Sequence, residues 1–194
     1  MSRISIFALF VTIFFIGGLA EISAQNAKVL AEAQRLTGDR FTVTGRTPLG
    51  ANVYGVKRAS REMMAAIDRG LTDLFAIARR NGYRAKLNYF DYSIYIGNAD
   101  RQRNAAGEYS PDIAVGTAQY AGTVYDHGGY MYVAGMIVAN NPCSFMIGEH
   151  TRDYKRVSDV VRFEGEHLIL YHNDRRRYMS TRDHSQGGGH PILQ

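Results

Sequence analysis

Among the 194 residues, the densest set of side chains able to do chemistry lies in Phe163-Glu164-Gly165-Glu166-His167 and in the tail that follows. Glu164 and His167 are three residues apart, a spacing that puts a carboxylate and an imidazole side by side on a helix surface. Glu-x-x-His is also how one helix offers two ligands to a single metal ion. A carboxylate di-iron centre needs two such helices and only this one is found. The zincin pattern His-Glu-x-x-His fails because Phe163 stands where its first histidine would be. The tail adds His184 and His190, separated by Gly187, Gly188 and Gly189, whose permissive backbone lets a chain turn tightly or pass close to another segment. Folded back over the helix, His184 and His190 would join His167 and Glu164 as ligands of a divalent metal such as zinc, with an open position for water. In an alternative division of labour, Glu164 is not a ligand but the catalytic general base. Either version predicts a metal-dependent hydrolase.

These residues require a helix over about 154–173. At 100° per residue, Val157, Val160, Val161, Leu168 and Tyr171 share one face with Glu164, and His167 sits at its edge. A carboxylate inside an apolar stripe needs a hydrogen bond, a cation, a metal or a proton. On the same projection Glu166 points the opposite way and is expected in solvent. Asp174 follows on the flank of His167, and His172 lies on the other flank. The plainer reading pairs Glu164 with His167 or with backbone and leaves the tail histidines on the surface.

The elements that must hold this helix are also legible. Residues 27–36 have helical spacing and stop near Gly38. Ser60 is a good N-cap for a helix over about 60–81, whose stripe runs through Met63, Ile67, Leu71, Leu74 and Phe75 and ends in Arg79-Arg80 before Gly82. Strand-like pieces occur at 41–44 and 53–56. Tyr92, Ile94 and Ile96 alternate with Asp91, Ser93 and Tyr95 as a half-buried strand would, and 112–118 is a further strand candidate. The turn Asp126-His127-Gly128-Gly129 suggests a hairpin between Val124-Tyr125 and the run 130–139, and Cys143 to Ile147 is a last short strand. The fold class is α+β: a mostly antiparallel sheet of about 4–6 strands, packed by the central and C-terminal helices.

At the other end of the chain, Arg3 precedes an apolar run from Ile4 to Leu19 whose end falls in Gly18-Leu19-Ala20, with Ser23-Ala24 just beyond. That is the pattern of a secretory signal peptide over 1–20, with a second cleavage point at 24, and it leaves 21–194 as one globular domain with a Gly-rich tail. An uncleaved membrane anchor is the competing reading. Both place the domain outside the cytoplasm, secreted or periplasmic. There a lone thiol, Cys143, is a buried hydrophobe, a nucleophile paired with His150 or His167, or half of an intermolecular disulfide.

Composition limits the remaining options. With 45% hydrophobic and 21% charged residues the chain is a folded protein, and its single Cys excludes a disulfide framework and cysteine-based zinc modules. A net charge of +5 does not declare a nucleic-acid binder. It is partly concentrated in Arg175, Arg176 and Arg177. Cations there suit a helix C-terminus. They equally support a second function class, a non-enzymatic binding or structural protein whose partner is an anionic envelope polymer.

Overall fold

A computed structural model describes residues 26–100, 102–103, 105–107, 112–122, 129–149, 153–184 and 187–194. Residues 1–20, expected to be a leader or an anchor, lie outside the described residues, as do Val124-Tyr125, the turn 126–128 and two of the six histidines, His127 and His150. Among the described residues no helix is long and apolar enough to cross a membrane.

In chain order the elements are α1 (26–37), β1 (Val43–Arg46), β2 (Asn52–Gly55), α2 (Arg61–Arg80), β3 (Tyr92–Ile96), β4 (Ile113–Val115), α3 (Thr117–Tyr120), β5 (Met131–Val133), β6 (Gly135–Ala139), β7 (Cys143–Ile147), α4 (Tyr154–Asn173) and α5 (Arg175–Thr181). The expected α+β class holds. The five-stranded sheet, in the order β1-β2-β3-β7-β6, is mixed rather than mostly antiparallel: β2, β3 and β7 run parallel, and antiparallel β1 and β6 close its edges. The parallel pairing arises because α2 carries the chain from β2 to β3, and a crossover helix returns a strand in the same direction.

Both faces of this sheet are covered. On one side α2 and α4 pack over Tyr92, Ile94, Cys143, Phe145 and Ile147. On the other, Val29, Ala33 and Leu36 of α1 meet Tyr95, Met146 and Met136, with Ile113 and Val115 of the small β4-β5 ribbon. Every residue of β3 and of β7 is therefore buried. The alternation in β3, read as a half-buried strand, separates two cores instead of core from solvent. The run 130–139 divides into β5 and β6, and β5 pairs with β4 (Ile113 opposite Val133).

The two large helices lie where their patterns put them. Ser60 Oγ accepts from Met63 N at 3.0 Å and caps α2. Asp153 caps α4 by accepting from Arg156 N at 2.9 Å. At the far end of α4, Asn173 Oδ1 accepts from Arg84 N and Ala85 N at 3.0 and 2.9 Å, which ties the chain leaving α2 to α4. Asp174 ends α4 and caps α5, accepting from Arg177 N at 3.0 Å. The three arginines thus open a new helix instead of closing the old one.

Candidate functional site

The site is assembled where the tail returns to α4. After α5, Gly188 N donates to Asp183 O at 3.0 Å and Gly189 N to Thr181 O at 3.1 Å, so the backbone lies directly against the end of that helix. A Cβ at Gly188 would run into Thr181 O, and Gly187 has φ +79°. Glycine is what lets the chain turn here. Beyond the turn, His190 comes back over α4, and Ile192 is buried in the core.

Glu166 receives it. The side chain of Glu166 is fully buried, with Oε2 2.8 Å from His190 Nδ1 and Oε1 accepting from Ile192 N at 2.8 Å. This corrects the expectation that Glu166 faces solvent: the helical projection was sound, but the face opposite the stripe is covered by the tail. A carboxylate on Nδ1–H leaves the Nε2 lone pair of His190 free to bind something else, the arrangement found behind metal-ligating histidines.

His167, His184 and His190 converge. Each offers one ligand atom, and these atoms lie within 4.8 Å of one another. The rings are 5.2 Å (His167–His184), 4.9 Å (His167–His190) and 4.8 Å (His184–His190) apart between centroids. Phe163 stacks on His190 at 4.7 Å and fixes that ring from the other side. His167 is buried, and its Nδ1 has no hydrogen-bond partner among the described residues. Burial, and then the neighbouring His190 and His184, pull the His167 imidazole down to about 3. His184 is lowered for the same reasons, burial first. Neutral imidazoles with available lone pairs are the form that binds a metal.

Glu164 is not part of this trio. It lines a cavity of about 760 Å³ together with His184 and His190. Its Oε2 is buried without a hydrogen-bond partner among the described residues, and burial pushes the carboxyl up to about 8. Gly135, at the start of β6, makes room for it: a Cβ there would stand 2.6 Å from Glu164 Cγ. Of the four residues expected to meet, the structure brings the three histidines together and sets Glu164 in the adjoining cavity wall.

The other candidates are accounted for elsewhere. His172 Nε2 lies 2.7 Å from Asn140 O, away from the trio's contacts. Arg175 covers the Tyr171 ring at 3.9 Å, and Arg177 reaches Tyr83 Oη at 3.1 Å and Asp174 at 3.9 Å. Two of the three arginines are therefore engaged locally. Cys143 is fully buried, and burial raises its thiol to about 12. An intermolecular disulfide or a nucleophilic role would require opening the core. Sequence reasoning missed Glu166, Phe163, Tyr120 and Asp183 as neighbours of the site. Only the Gly-rich turn before His190 hinted that a tail would cover that side of α4.

Comparison of the chain with models of protein families, with curated proteins and with solved structures gave no match.

Proposed function

We propose that the protein binds a divalent metal ion, zinc foremost, through His167, His184 and His190, and that it is a metal-dependent hydrolase. The observation that carries this reading is the convergence of three imidazoles, one of them buried with a nitrogen that has no hydrogen-bond partner among the described residues. Leaving a buried polar atom unpaired costs about 1–3 kcal/mol, which coordination through that nitrogen would remove. Three histidine ligands leave a fourth position for water on zinc, and the ion lowers the pKa of that water. Glu164 lies in the wall of the cavity that His184 and His190 also line, where it can take a proton from water and return it to a leaving group. The leader-like residues 1–20 support an extracellular or envelope substrate, and the mass of the N-terminus recovered from an expressing bacterium tests that location.

The metal test uses untagged protein and elemental mass spectrometry. About one equivalent of zinc is expected after dialysis against the ion, falling to near zero in His167→Ala and His184→Ala variants that retain the parent circular dichroism. Near-zero zinc in the parent protein overturns the proposal. Glu164→Gln is expected to keep the metal and lose hydrolytic activity, and loss of metal in that variant would make Glu164 a ligand instead of the base.

A further inference from the structure

The cavity beside the imidazoles constrains what a metal there would act on. Along α4 its lining runs from Asp153, Lys155, Arg156 and Asp159, through Val160, to Phe163 and Glu164. That is a climb of about 16 Å at about 1.5 Å per residue. The charges at the start of the climb answer one another. Lys155 Nζ is 2.8 Å from Asp159 Oδ2, and Arg156 Nη2 is 3.4 Å from Asp112 Oδ1. Both pairs are solvent-exposed, so they offer an entering phosphate or carboxylate only screened surface cations and no buried one. The intervening wall, Met131, Val133, Ala134 and Val160, has no side-chain group to receive a sugar's hydroxyls. Tyr120, buried beside Met131, already donates its hydroxyl to Met131 Sδ at 2.8 Å. The lining is thus an apolar middle between a charged, solvent-exposed mouth and a polar end made by Glu164, Asp183, His184 and His190, which suits a molecule with an apolar stretch and one reactive polar function, and about 760 Å³ is ample for one.

We propose that the substrate is an ester or amide of an apolar acyl chain, the chain lying along Met131, Val133 and Val160 and the carbonyl at the imidazoles. This rests on the metal-dependent hydrolase reading. Water adds to the acyl carbon, forming a C–O bond. The bond from that carbon to the ester oxygen or amide nitrogen breaks, and the proton passes through Glu164 to the leaving group. The products are a carboxylic acid and an alcohol or amine.

Hydroxamates probe both parts at once, because the head chelates zinc while the alkyl chain fills the cavity. Calorimetric titration of the zinc-loaded chain with acetohydroxamate, butanohydroxamate and octanohydroxamate is expected to show affinity rising by up to about fourfold per methylene, the limit for full burial. Val133→Phe, checked for parent-like thermal unfolding and zinc content, is expected to remove most of that gain by filling the space. Equal affinity across the series overturns the acyl-chain inference and leaves the metal centre standing. A metal-free arm separates the two failures. The neutral dye N-phenyl-1-naphthylamine is expected to gain fluorescence on the zinc-free chain and to be displaced by octanamide. No dye binding overturns the inference whatever the zinc result, whereas dye binding without any zinc uptake overturns the hydrolase reading and with it the ester or amide substrate.

Discussion

Toward α2, helix α4 is fitted by shape; toward the tail, the same helix is held by polar contacts. On the first side the helices approach so closely that a Cβ at Gly70 would stand 2.6 Å from Ser158 O and 2.8 Å from Val161 Cβ, and one at Gly165 would strike Leu74. Ser158 Oγ reinforces the approach by donating to Ala66 O at 2.8 Å. On the second side a buried carboxylate takes two hydrogen bonds from the returning tail, and three imidazoles stand together with one nitrogen unpaired among the described residues. The contrast separates what holds the fold from what is available for chemistry. A packed interface satisfies its atoms within the protein, whereas the tail side retains unmet capacity for a ligand.

The sharpest way to break this contrast is Gly70→Ala. Overpacking against backbone is not relieved by a rotamer change, so a loss of about 3 kcal/mol is expected. Thermal unfolding should then drop by roughly 6–12 °C. Zinc per folded molecule should stay at the parent value. Unchanged stability would mean that the helices slide freely and that shape does not fix them.

Next in size is Glu166→Gln, which acts on the tail side alone. Gln matches the carboxylate in shape but presents an amide NH₂ to one of its two donors, His190 Nδ1–H or Ile192 N. If His190 answers by moving its proton to Nε2, the nitrogen meant for the metal is blocked. Zinc affinity measured by competition with a chelator should fall about 10–100-fold. A fall in stability with no change in zinc affinity would make Glu166 a fastener of the tail and nothing more. His172→Ala serves as the control from the same helix. It loses the contact with Asn140 O, about 1 kcal/mol and a few degrees of unfolding temperature. Its zinc content should match the parent, and a loss there would enlarge the site beyond the trio.

Legibility in the sequence follows the same division. The shape-fitted side was readable because local pattern governs it: Ser60 and the stripe through Ile67, Leu71 and Leu74 specify α2, and α4 spans Tyr154–Asn173 as its periodicity implies. The sheet was less so. Tyr92 to Ile96 has the period of a strand, but whether its second face meets water or α1 depends on contacts between distant residues. The site was half legible. Glu164, His167, His184 and His190 stood out by residue type, and the glycines before His190 allowed the tail to return. Glu166 was misplaced because its partner lies 24 residues away, where helical projection has no reach. The arginines at 175–177 were read as the end of one helix because Asp174, a capping residue, was not recognised as the start of another.

The smallest expected effect is no effect at all, and it concerns the single cysteine. Cys143 lies in β7 beneath α4, on the packed side. Its thiol is raised to about 12 chiefly by burial, with Lys86 opposing only in part. Alkylation proceeds through the thiolate, so at pH 8 on the order of 10⁻⁴ of the thiol would be available even if reagent could reach it. Native protein should therefore show no iodoacetamide adduct by intact mass after an hour, while the denatured chain is fully labelled and no disulfide-linked dimer forms under oxidising conditions. Native labelling as fast as denatured labelling would show that the packed side opens readily. The informative case is a difference between preparations. If only the zinc-free chain labels, the metal clamps the core through the tail and Ile192, and the two sides of α4 are coupled in stability although they are built on different principles.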